Sequence, residues 1–217
     1  MTEYLPIIIA IGALSLLPFV ALMVTSFAKI VIVLGLLRQA LGLQQIPPNM
    51  VLNGIALILT IYVMAPVAME ASDNLQKNGQ NISSFKTLDD ISGAYGSVSE
   101  PLRRFLVSHT ELRDRKFFQR TATRLWPKER AASLKDDDMM VLIPAFVVTE
   151  LTSAFRIGFI LFLAFLLVDL IVANILLALG MSMVSPTIIS VPFKILLFIV
   201  LDGWARLLQG VVLSYAN

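Results

Sequence analysis

Cysteine is absent from all 217 residues, which excludes disulfides, thiolate metal sites and cysteine nucleophiles while leaving the redox compartment open. Charge is also scarce. Only 15% of the residues are Asp, Glu, Lys or Arg, against about a quarter in a soluble domain. The net charge of +2 is too small for a nucleic-acid footprint. There is a single histidine, His109. No HExxH, GxSxG, P-loop or strand-borne GxGxxG motif is present, so no catalytic constellation, metal site or cofactor is expected and the chain does not read as an enzyme. Internal repeats, low-complexity tracts and lipidation motifs are missing too. Glu3 but no cation precedes the first apolar run, and the first cation is Lys29. A secretory signal needs a positive leading region, so the N-terminus is expected to be retained.

What the chain has in excess is apolar residues, 57% of the total, with a mean hydropathy of +0.82. They are concentrated in four stretches. The first runs from Leu5 to Leu37, interrupted by Pro6, Pro18 and Lys29. At 1.5 Å per residue it would reach roughly 50 Å, beyond a ~30 Å hydrocarbon core, so a kink near Pro18 or a helix continuing outside the bilayer is expected. The second, Met50 to Met69, is uncharged and has the length of one span. Between them Pro47-Pro48 stops any helix, and Asn49 is placed as the N-cap of the next. The third, Ile157 to Val184, contains Asp169 and Asn174 and is broken from Gly180 to Pro186. The fourth, Pro186 to Leu213, carries Lys194, Asp202 and Arg206.

Residues 70–141 are different in kind, holding twelve of the seventeen Lys and Arg residues and eleven of the fifteen acids. Asn74 to Gly96, rich in Asn, Gly and Ser, reads as loop. From Pro101, Leu102, Phe105, Leu106, His109 and Leu112 recur at helical spacing, with Arg103, Arg104, Glu111 and Arg113 on the other faces. A packed or interfacial role is expected for His109. A second helical piece is expected after Pro127, up to Lys135. Asp136-Asp137-Asp138 reads as a solvated turn, because three consecutive carboxylates cannot converge on one ion. The chain thus divides into an N-terminal helical hairpin (1–69), a polar, partly helical region (70–141) and a C-terminal hairpin (142–217). The fold class is an all-α integral membrane protein of two long helical hairpins with a small helical extracytoplasmic insertion. Sidedness follows from short flanks: the Lys29–Asn49 connection carries two cations and no acid, placing it in the cytoplasm and the 70–141 region outside.

Charges inside apolar segments are costly and face protein or a water-filled cavity. Asp169, Lys194, Asp202 and Arg206 are such charges, with Glu150 and Arg156 at the entrance of the third run. Asp202 and Arg206, four apart, are expected to pair on one helix face. Lys194 needs a partner on another helix or subunit, with Asp169 a candidate. These read as structural pairs rather than as a proton or ion relay. Met181 and Met183 flank Ser182 in the turn between the last two runs; the residues alone leave simple apolar filling and a deformable seal both open.

Three blocks then carry a resemblance over essentially the whole chain: Thr25 to Lys29 with Leu36 to Arg38 and Gln44 to Asn49; Pro144 to Gly158, including Glu150 and Phe155; and Pro192 to Trp204, including Gly203. The chain resembles the FliP/SctR family, the P/R-type core subunit of the type III secretion and flagellar export apparatus. Its short N-terminus is more similar to the injectisome branch than to the flagellar one. The resemblance implies an export gate in the bacterial inner membrane, partly raised into the periplasm. In it a pentameric helical ring of this subunit assembles with small Q-type (S) and R-type (T) partners, and unfolded secreted proteins pass through the centre. Much of the apolar surface would then meet protein rather than lipid. The resemblance also implies a methionine gasket, carried over to Met181 and Met183, with Ser182 where many relatives have a third methionine. The alternative is a secondary transporter or proton-conducting subunit using Asp169, Lys194 and Asp202. The missing inverted repeat speaks against it.

Overall fold

The computed structural model describes Ser15 and residues 18–77 and 88–216, and among these every regular element is helical. In chain order they are α1 (Phe27–Ala40), α2 (Asn49–Lys77), α3 (Leu88–Ser108), α4 (Leu112–Leu125), α5 (Lys128–Ala132), α6 (Met139–Ala178), α7 (Pro186–Val200) and α8 (Gly203–Leu213). Two compact units result, residues 29–60 with 151–217 and residues 1–28 with 61–150. Helices α2 and α6 contribute to both.

The four apolar stretches reduce, among the described residues, to two helices long and apolar enough to cross a membrane, α2 and α6. A third span is possible in length if α7 and α8, bent by 64° at their junction, are taken as one. Residues 5–14, 16 and 17 of the first stretch lie outside the described residues. Within its described part residues 18–23 are helical and the helix breaks at 24–26, while the kink expected near Pro18 borders residues 16 and 17, which lie outside the described residues. Thr25 explains the site: its Oγ1 accepts the Phe27 N–H at 3.5 Å and so starts α1. The helix of the third stretch begins eighteen residues earlier than its apolar run suggested, because Glu150 and Arg156 lie within one 40-residue helix from Met139.

In the unit of residues 29–60 and 151–217, Leu37, Ala40 and Leu41 form a core with Phe165 of α6 and Phe198 of α7. Helix α1 ends in a Schellman motif: Gly42, at φ +79°, donates to Gln39 O and Leu43 N donates to Arg38 O. Helix α2 starts at Asn49, but Asn49 is not its cap. The Pro48 carbonyl accepts from Val51 and Leu52, while Asn49 Oδ1 accepts from the Arg38 guanidinium at 2.8 Å. A charged donor outcompetes a backbone N–H for that oxygen. Helices α1 and α6 meet at Gly158, where a Cβ would lie 2.2 Å from Leu36 Cδ1.

The second unit is the polar one. Phe105 of α3 and Phe146 of α6 stack at 5.8 Å, with Leu106, Val141, Leu142 and Ala145 also fully or nearly fully buried. Asn74 to Lys77 and Leu88 to Gly96 are helical rather than loop, and 78–87 lie outside the described residues. Polar composition alone does not break a helix whose ends are anchored by packing. Leu112 is not on the helix of Phe105 and Leu106. That helix stops at Ser108, and Leu112 opens α4, half exposed. His109 stacks on Phe105 at 4.5 Å and its Nδ1 lies 2.8 Å from the Phe105 carbonyl oxygen.

The three aspartates are not a freely solvated turn. Asp137 pairs with Arg103 and Asp136 lies 3.7 Å from Arg115. Asp138 accepts from Lys135 N and its carbonyl starts α6 through Val141 and Leu142. Each carboxylate points to a different partner, as the alternation of a turn requires. The hydrogen bond and charge of Glu100, 2.8 Å away, together with Asp137, raise the Arg103 pKa above its ordinary value.

Candidate functional site

Helix α6 reaches its end with Leu177 and Leu176 accepting from Gly180 and Met181 in a second Schellman motif. Gly180, at φ +74°, supplies the left-handed residue that this turn requires. Pro186 then opens α7 at its first position, where a missing N–H costs nothing. Between these two local signals stands a short loop, 179–185, carrying Met181 and Met183. Met181 is 45% exposed and Met183 is 99% exposed. An unbranched thioether held wholly clear of its own chain forgoes roughly 1.5–3 kcal/mol of burial, which a covering partner would restore.

Below the loop lies a polar lock. Lys194 of α7, 3% exposed, donates to Asp169 Oδ2 of α6 at 2.7 Å and to the Ala40 carbonyl, the last residue of α1, at 3.2 Å. Ser190, fully buried, donates to the other oxygen of Asp169. Both carboxylate oxygens and two of the three ammonium protons are thereby engaged. The ammonium also sits where a helix C-terminus presents unsatisfied carbonyls and partial negative charge. Ser190 is four residues before Lys194, so a shared face of α7 was legible in the sequence. The Ala40 carbonyl carried no such signal.

The other charges are not gathered there. Asp202 is not in a helix with Arg206. It occupies the break between α7 and α8 in the left-handed region, φ 55° and ψ 38°, and no ion pair joins the two among the described residues. Arg206 contributes its N–H to the Asp202 carbonyl at 3.0 Å. The reason is steric: Phe198 fills the inside of the bend, 2.2 Å from where a Cβ on Gly203 would stand. Trp204 meets Phe198 edge-on at 5.5 Å. Asp tolerates such a conformation better than most residues. Pro192 is exposed within α7, Pro144 lies in the first turns of α6, and Phe155 is 58% exposed on α6. Glu150 is buried, at 2% exposure.

A charge for which sequence reasoning named no partner, Lys29, is also buried. Lys29, 4% exposed, lies 4.0 Å from the centre of the Tyr215 ring and donates to Ser214 Oγ at 3.3 Å, tying α1 to the end of the described chain. Beside the lock, α6 and α7 enclose a groove of about 310 Å³ lined only by apolar side chains, Val168, Ile171, Ile175, Ile189 and Phe193 among them. No group of three or more potential metal ligands occurs among the described residues.

This arrangement can hold a loop rigidly at the end of a helical hairpin and present apolar side chains to a neighbour. Residues 10–211 match the FliP family. The chain is 53% identical over 218 residues to the hypersensitivity response secretion protein HrcR of Ralstonia nicotianae, covering 98% of each. It is 47% identical over 211 residues to the Yop proteins translocation protein R of Yersinia pestis, covering 97% of this chain and 96% of the relative. It is 41% identical over 203 residues to the virulence protein YscR of Salmonella typhimurium, covering 94% and 93%. With its long apolar helices and full-length similarity to injectisome-type secretion proteins, the chain belongs to the FliP family of the type III secretion export apparatus.

Proposed function

We propose that this chain is a channel-forming subunit of the export gate through which unfolded proteins cross the bacterial inner membrane. The observation that carries the reading is Met183, fully exposed at the tip of a hairpin whose base is fastened by the pairing of Asp169 with the buried Lys194. A rigid stem with a soft apolar tip suits a seal: thioethers from several copies can close a pore by dewetting and yield when a polypeptide passes. Met181 lies at the root of this loop, and Ser182 makes its centre smaller and more polar than a continuous methionine run. On this reading several copies of the chain form a ring, pentameric by the resemblance, with the small Q- and R-type subunits packed on apolar surfaces such as the α6–α7 groove. The Lys29–Asn49 connection faces the cytoplasm, the polar region faces the other side, and the ring stands partly raised into the periplasm.

The relay alternative draws less support. The Asp169–Lys194 network ends at a hydroxyl and a main-chain carbonyl, and Asp202 has no part in it. Co-expressed with its small hydrophobic neighbours, the chain is expected to run as one large detergent-stable complex in native mass spectrometry; monomers alone under mild conditions would refute the assembly. Within that assembly, Met181→Gly with Met183→Gly is expected to raise the leak of ions and small solutes. Membrane conductance unchanged by the pair of substitutions, in cells holding the full complex, would refute the gasket.

A further inference from the structure

Asp202 and Arg206 are charges in an apolar stretch, and the pairing that their spacing suggested does not form. Both are exposed on the folded chain. Among the described residues neither has an opposite charge within 4.0 Å. Asp202 stands at the N-terminus of α8 but makes no capping hydrogen bond to it. A capping side chain needs an extended backbone at its own residue, and Asp202 is at φ 55° and ψ 38°. The same conformation takes it off the helix lattice of Arg206, so the alignment that joins residues four apart is absent.

The two charges head a stripe. Arg206, Gln209, Gly210 and Leu213 are exposed and follow at spacings of three, one and three, which puts them on one face of α8. A Cβ on Gly210 would meet nothing within 4 Å, which leaves room for another helix to approach closely. On α7, just before the bend, Leu196, Ile199 and Val200 are exposed as well. The bend is not free to swing Asp202 toward Arg206. Phe198 fills its inside against Gly203, and Trp204 closes on Phe198 at 5.5 Å.

Charges in a segment of this kind face protein or a water-filled cavity, because hydrocarbon solvates neither. The surface here carries one acid and one cation. A neighbour of a single sign would satisfy one of them and repel the other. Its complement must offer both signs at a similar spacing within an apolar surround, and a second copy of the same bend does so. Asp202 and Arg206 lie off a common lattice, so they are suited to different neighbours, one on each side. A contact repeated in that head-to-tail way generates a ring wherever the rotation closes.

We propose that Asp202 of one copy pairs with Arg206 of the next, making the α7–α8 bend a contact between adjacent copies. The inference rests on the ring of copies proposed above. Its test uses the full assembly, co-expressed with its small hydrophobic neighbours, and a chain that has no cysteine of its own. Two differently tagged chains are combined, one with Asp202→Cys and one with Arg206→Cys. They are treated with a short bismaleimide, since an arginine spans more than a disulfide does. A cross-linked dimer carrying both tags is expected, with far less product when either variant is expressed alone.

A second measurement reads the charges themselves. Asp202→Asn, which tolerates the left-handed backbone, and Arg206→Gln should each weaken assembly about tenfold, followed by native mass spectrometry against chain concentration. The double variant should be no worse than either single one, since it leaves no charge unpaired. Losses that multiply to about a hundredfold would show separate partners and overturn the proposal. Single variants that assemble like the parent would overturn it too. So would an intact complex without the mixed cross-link, an outcome that leaves the ring in place. Monomers alone in native mass spectrometry would overturn the ring and this contact together.

Discussion

Lys194→Met should cost about 3 kcal/mol of stability, the low end for breaking a buried pair, because the half-buried Asp169 carboxylate loses its principal partner. The size of the effect comes from desolvation, not from the worth of the pair. Lys194 itself is 3% exposed, and its Asp169 partner keeps only Ser190 when the ammonium is removed. The companion variant, Asp169→Leu with Lys194→Met, removes both charges and should recover most of that loss, since a buried ion pair is often no better than apolar residues of similar volume. Thermal unfolding of the four proteins of this double-mutant cycle, in one detergent, gives the comparison. A double variant as unstable as the worse single variant would show that each charge serves a separate partner. If the double variant also assembles with its partner subunits, the pair is a register-fixing device and not a relay. A relay would lose function in all three variants regardless of stability.

The second large effect is expected at the α1–α6 crossing. Alanine is the better helix former, by about 1 kcal/mol over glycine, so at an open helical position Gly158→Ala would stabilise. Here the added Cβ would stand 2.2 Å from Leu36 Cδ1 and 2.9 Å from Leu36 Cβ. Rotating the leucine relieves the first contact. The second is held by the backbone of α1, so the helices must separate, at about 1–3 kcal/mol for such overpacking. The clash exceeds the propensity gain, and larger residues such as Val should be worse. Leu36→Ala combined with Gly158→Ala tests the cause: with the facing side chain trimmed, the propensity gain should reappear. A Gly158→Ala protein with raised melting temperature in the parent background would contradict this packing.

Several features of the site were legible before any coordinates. The Gly180–Pro186 break is written in two residues with strong local preferences, a glycine suited to a left-handed cap and a proline suited to a helix start. Asp169 was a candidate partner for Lys194 because a charge in an apolar run must find one. What could not be read is where long apolar helices begin, bend and stop. Glu150 and Arg156 looked like the entrance of a span, yet α6 carries both within its length. Hydropathy registers the solvent a residue prefers, whereas a helix continues wherever backbone bonds are satisfied. The same limit hid the bend at Asp202, which depends on Phe198 packing inside it, and the break at Thr25, set by one hydroxyl.

By itself, the sequence determined the class of this protein: helical, membrane-embedded, without thiol chemistry, and with family signatures along its length. Those properties depend on composition, run length and residue order, which are local quantities. Tertiary structure alone decided that Lys194 caps the end of α1 while neutralising Asp169, contacts spanning 154 and 25 residues of chain. Such pairings follow from how helices cross and which backbone ends are left unsatisfied, and no local pattern encodes them.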